Sequence, residues 1–80
     1  KPERCLIVLR NNDVPGVIGR VGTLLAQNGL NIAEYIQSRE AEGGLALAAV
    51  SVDSKVSPDF LETLSEDDDI LDARAVYFGA

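Results

Sequence analysis

Two short apolar runs constrain this chain more than any other feature: Arg-Cys-Leu-Ile-Val-Leu-Arg at residues 4–10 and Leu-Ala-Leu-Ala-Ala-Val-Ser-Val-Asp at 45–53. Each is too short for a buried helix and apolar at successive positions, so both read as strands buried on both faces. The 80 residues make one small domain, 1–80, with a core expected from about 4 to 78. A domain this size buries only about 60% of the surface its extended chain exposes, so its stability is marginal. One cysteine, Cys5, and no histidine leave no disulfide scaffold and no zinc module. With aromatics at 5% and neither Trp nor Met, the core must be Val, Ile, Leu and Ala, and an unstapled core of that kind suggests stabilisation by a partner surface.

Between and after the runs the periodicity changes. Turn residues are expected at Asn11-Asn12-Asp13, and Pro15-Gly16 follow, with Pro15 suited to a first helical position. Val17, Ile18, Val21, Leu24 and Leu25 then recur at the spacing of one helix face, and Gly29 suits the stop. Residues 31–40 place Ile32 and Ile36 in phase with Glu34 and Ser38, a mixed pattern that fits an edge strand, and Glu42-Gly43-Gly44 makes a hairpin turn into the second run. Ser57-Pro58-Asp59 starts a short helix carrying Phe60, Leu61 and Leu64. The acidic run Glu66-Asp67-Asp68-Asp69 ends it, because carboxylates are unfavourable at a helix C-terminus, and residues 70–78 form the last strand. The order βαββαβ predicts an α+β, ferredoxin-like fold: a four-stranded antiparallel sheet with both helices on one face. Its open edge strands are templates for another chain, so a homodimer is expected.

Thirteen acidic and seven basic residues give a net charge of −6. Residues 1–52 are neutral, and the excess lies in 53–80, where eight carboxylates face only Lys55 and Arg74. That balance repels phosphate backbones and argues against nucleic acid as a partner. No signal-like segment or long apolar run points to a membrane, so the chain reads as soluble and cytoplasmic, and its start at Lys1 suggests a fragment.

Several constellations have the residue types of a chemical site. Gly16, Gly19 and Gly22 are spaced G-x-x-G-x-x-G, not the G-x-G-x-x-G of a dinucleotide fingerprint, and read as a small-residue stripe that lets another helix approach. Gly16-Val17-Ile18-Gly19-Arg20 has the spacing of an acylphosphatase phosphate loop, but the Asn motif such enzymes need on the next strand is missing, so Arg20 reads as a solvated helix residue. The acidic run lacks the pattern of a calcium loop and reads as a solvated turn. Cys5 alternates with Ile7 and Leu9 and reads as core. The loop Arg10–Gly16 is different, because it joins a buried strand to a helix start. Amides of Gly16, Val17 and Ile18 there would be free to receive a carboxylate, Asp13 could take an ammonium, and Asn31 offers an amide that donates and accepts. These are the groups that a zwitterionic amino acid with a small polar side chain requires; the alternative is that Asp13 only caps the helix and Asn31 only ends it.

Asn12-Asp13-Val14-Pro15-Gly16-Val17-Ile18-Gly19, then Leu24 to Ala33, then Gly43-Gly44, resemble the ACT domain family over about Arg4 to Phe78. Within it the chain is most similar to the C-terminal regulatory domains of D-3-phosphoglycerate dehydrogenases, with the domain of iron-sulfur L-serine dehydratases as an alternative. The resemblance implies a domain without a cofactor of its own, attached to an NAD-dependent dehydrogenase. It implies L-serine bound between two ACT domains paired through an edge strand and the first helix, with feedback on the enzyme. The position held by His in serine-sensitive members falls at Asn11, an Asn position falls at Asp13, and a further Asn is kept as Asn31, contributed by the neighbouring subunit. Asn11 cannot supply a cation to the ligand carboxylate, and Asp13 adds a negative charge. A dimerisation module without a ligand is the second implication of those two departures.

Overall fold

The computed structural model describes residues 4–40 and 44–78. The elements follow in the expected order: β1 (Arg4–Asn12), α1 (Val17–Gln27), β2 (Ile32–Arg39), β3 (Leu45–Val52), α2 (Pro58–Ser65) and β4 (Ile70–Phe78). They form one antiparallel sheet in the order β2-β3-β1-β4, so the two apolar runs are the central strands and β2 and β4 are the edges. Glu42 and Gly43 of the expected hairpin turn lie outside the described residues; Gly44, at φ +66°, takes the left-handed conformation at its end.

Register explains which side chains form the core. Cys5, Ile7 and Leu9 of β1 sit opposite Val52, Val50 and Ala48 of β3, and all six are buried beneath Val17, Val21 and Leu25 of α1 and Phe60 and Leu64 of α2. Both helices therefore cover one face. Burial pushes the Cys5 thiol up from its ordinary value, which suits an inert core residue.

The other face is open, and this corrects the expectation of strands buried on both sides. Leu47 is 46% exposed and Ile36, Val76 and Phe78 are similarly open, because the described residues form only two helices and both are spent on the first face. The phase expected for β2 is also corrected. Ile32 pairs with Val52 and Glu34 with Ser51, so Ala33 is an extra residue that moves Ile32 to the helix-facing side while Glu34, Ile36 and Ser38 stay on the open one. A second shift beside Asn11 leaves Leu71 as the extra residue of β4 and lets Ile70 join the core.

The helix ends follow their sequences, with one difference. After α1, Gly29 at φ +71° donates to the Ala26 carbonyl at 3.0 Å and Leu30 to the Leu25 carbonyl at 2.9 Å, the pair of bonds a left-handed glycine makes possible. Ser57 caps α2 by accepting from the Phe60 N–H at 3.1 Å. At the start of α1, however, the cap is Gly16 at φ +95°, and Pro15 lies outside the helix rather than in its first position. Ile18 is half exposed, so the buried face of α1 is narrower than its apolar spacing implies. No described helix is long and apolar enough to cross a membrane.

Candidate functional site

Asn11 and Asn12 continue β1 rather than turning, because both still pair with β3. The turn is made by Asp13 to Gly16, and the hydrogen bonds around it hold it in place. The Asp13 N–H donates to the Gly44 carbonyl at 2.7 Å and the Val14 N–H to the Asn12 carbonyl at 3.0 Å. The first of these bonds brings the loop against Gly44, just before β3.

A cleft of about 290 Å³ opens there, lined by Asp13, Val14, Pro15, Gly16, Val17, Ile18, Gln37 and Arg39. Four of the six sequence-predicted residues, Asp13, Gly16, Val17 and Ile18, meet in it. The first α-helical backbone bond runs from the Arg20 N–H to the Gly16 carbonyl, which leaves the amides of the preceding turn without helical acceptors. No side chain caps them and no acidic residue stands in the first turn, so Asp13 is not the helix cap. Its carboxylate instead accepts from the Arg39 Nε at 2.6 Å.

The other two predicted residues lie elsewhere. Asn11 faces the core on β1 and is 1% exposed; its Nδ2 donates to the Asn12 carbonyl at 2.8 Å, while its Oδ1 has no partner. It does not line the cleft. Asn31 is exposed in the connection after α1, at the far end of an 11-residue helix whose length is about 16 Å. Within one chain the structure does not bring Asn31 to Asp13.

Two residues that sequence reasoning did not single out, Gln37 and Arg39, complete the cleft. Both belong to the helix-facing side of β2, since they pair with Ala48 and Ala46, which are buried under the helices. The signal was their odd-numbered parity with Tyr35 on an edge strand. It was hidden by the bulge at Ala33, which falsified the phase read from Ile32.

Arg20 is exposed, as expected, but it and the acidic run are also tied together. Arg20 donates to Asp67 through Nε at 2.6 Å and Nη2 at 3.1 Å, and to Asp69 through Nη2 at 2.7 Å. Asp69 accepts from Asn12 Nδ2 at 3.1 Å, and its backbone N–H donates to the Asp67 carboxylate at 2.9 Å. The Arg20 guanidinium holds the Asp67 carboxyl below its ordinary value. The acidic turn is thus a clamp that ties α1 to the α2–β4 connection. No cluster of three metal-ligating side chains occurs among the described residues.

Comparison with known proteins gives this geometry a family. The chain is 42% identical over 77 residues to D-3-phosphoglycerate dehydrogenase of Archaeoglobus fulgidus, a match covering 94% of this chain and 15% of that protein. It is 32% identical over 75 residues to the Bacillus subtilis enzyme of the same name, covering 94% of this chain and 14% of the relative. The chain therefore spans about one seventh of the length of these relatives. Among solved structures, an ACT domain protein from Streptococcus pneumoniae superposes with a TM-score of 0.73 at 18% identity, covering 96% of this chain and 91% of that one. The regulatory subunit of aspartate kinase from Thermus thermophilus does so at 0.69 and 19%, covering 96% and 50%. At such identities these two show the fold alone. A family model for the ACT domain matches residues 6–69, and the chain belongs to the ACT domain family.

Proposed function

We propose that this chain is the amino-acid-sensing regulatory domain of a cytoplasmic D-3-phosphoglycerate dehydrogenase, with L-serine as ligand and feedback on serine synthesis as its output. The observation that carries the reading is the cleft at the start of α1, where uncapped amides, able to hold a carboxylate, share one cavity with a carboxylate, Asp13, able to hold an ammonium. The curated relatives supply the parent enzyme.

Dimerisation accounts for the position of Asn31. If β2 pairs antiparallel with its own copy about a two-fold axis, the start of one strand lies beside the end of the other, so Asn31 of the partner subunit comes next to Arg39 and the cleft. Asn31 then contacts the ligand side chain, and the ligand bridges two copies. Gly19 and Gly22 leave the neighbouring side of α1 open, since a Cβ at either would meet nothing within 4 Å. They lie within the helix rather than in a strand-to-helix turn, so these residues do not fit NAD, and the cofactor belongs to the rest of the parent enzyme.

Calorimetric titration of the chain with L-serine, glycine, L-threonine and L-valine tests the reading. Selective heat with L-serine is expected, and Asn31→Ala should weaken it without altering dimerisation. Silence toward all four would leave a dimerisation module without a ligand, the reading favoured by the burial of Asn11 away from the cleft.

A further inference from the structure

Arg39 and Asp13 form an ion pair inside the cleft proposed to take an amino acid. Their settings differ. Asp13 is anchored by its backbone bond to Gly44, and its side chain is 24% exposed. Arg39 stands at the last position of an edge strand with its side chain 74% exposed, and it reaches Asp13 through Nε. A guanidinium presents five N–H donors in a fork that matches a carboxylate. The neighbouring arginines are engaged elsewhere, Arg20 with Asp67 and Asp69 and Arg10 with Glu40. Arg39 is therefore the cation that lines this cleft among the described residues.

We infer that Arg39 anchors the carboxylate of the bound amino acid, and that its pair with Asp13 holds the place of a zwitterion until one arrives; the inference rests on the amino-acid reading above. On binding, the ligand ammonium replaces the guanidinium at Asp13, and the ligand carboxylate replaces Asp13 at Arg39, beside the amides of α1. Each resident charge exchanges one opposite partner for another, so no uncompensated charge is created in the cleft. The arrangement requires both charged groups of an unmodified α-amino acid, and a ligand lacking either would leave Arg39 or Asp13 without its new partner.

Titration of the chain and of Arg39→Gln and Arg39→Lys with L-serine and with L-serinamide, which keeps the ammonium and lacks the carboxylate, decides the matter. Loss of about tenfold or more in L-serine affinity in Arg39→Gln is expected from removing a charge-assisted bond. Arg39→Lys should recover part of it, and the unchanged chain should bind L-serinamide about as weakly as Arg39→Gln binds L-serine. Equal L-serine affinity in the unchanged chain and Arg39→Gln, with the variant folded by circular dichroism, overturns the role of Arg39 and leaves the amino-acid reading standing. Failure of the unchanged chain to bind any of the four amino acids overturns both.

Discussion

At Gly16 the turn that leads into the cleft depends on a residue without a side chain. Its φ of +95° belongs to the left-handed region, and a Cβ built there would approach Arg20 Nη1 to 3.0 Å. Gly16→Ala therefore adds backbone strain and pushes the arginine that clamps the acidic turn; a loss of about 1–2 kcal/mol is expected in the urea unfolding free energy. A change of only a few tenths would mean that the turn relaxes into another conformation. That Asp13, Gly16 and the first residues of α1 share one loop was legible because Asp-x-Pro-Gly between a strand and a helix specifies a loop that leads into a helix start. Asn11 was not. Its polarity suggested a turn, but β1 runs two residues further than its apolar stretch because Ala46 and Leu45 still offer ladder partners. The structure gives no account of its unpartnered Oδ1.

Among the elements, the covered and open faces of the sheet separate two kinds of leucine. Leu64 on α2 is fully buried, whereas Leu47 on the open side of β3 is 46% exposed. Leu64→Ala should cost about 2–5 kcal/mol through lost burial and a cavity. Leu47→Ala should cost under about 1 kcal/mol, since little surrounds it. Thermal or urea unfolding of both variants checks this, and similar losses at the two sites would mean that the open face is covered in solution. Element order, both helix stops and the edge position of β2 followed from local signals that act within a few residues. The bulges at Ala33 and Leu71 did not, because they arise from pairing with strands distant in sequence. The Arg20 clamp was hidden for the same reason, its partners lying 47 and 49 positions away.

That clamp ties stability to pH. Arg20 lowers the Asp67 pKa below its ordinary value of 3.8 in the folded chain, so folding favours the ionised carboxylate. Its contribution is fully present above 3.8, the value the unfolded chain approaches, and is lost as the pH falls through the lower folded value. The difference in thermal midpoint between the unchanged chain and Arg20→Gln should be largest near neutral pH and shrink as the solution is acidified below that range. Added salt should also reduce it, because the pair is close to solvent. A difference that persisted unchanged at low pH would assign the effect of Arg20 to packing rather than charge.

For the molecule as a whole, the described residues leave one sheet face open and the outer edges of β2 and β4 without a partner strand. If the partner's Asn31 completes the cleft, ligand binding and dimerisation are one linked equilibrium. A ligand that contacts both copies tightens the dimer only by the extra free energy it gains there, and the dimer must bind the ligand more tightly than the monomer by the same factor. Sedimentation equilibrium of the chain with and without L-serine should show the dimer dissociation constant falling when the ligand is present. Calorimetry at dilute and concentrated chain should return the matching factor in serine affinity. Asn31→Ala should remove most of that coupling while leaving the ligand-free dimer intact, because in this arrangement Asn31 contacts the ligand and lies just outside the paired strand. Serine binding with an unaltered dimerisation constant would place the whole site within one chain. Regulation of an attached enzyme would then have to pass through the cleft loop and β2 rather than through the dimer.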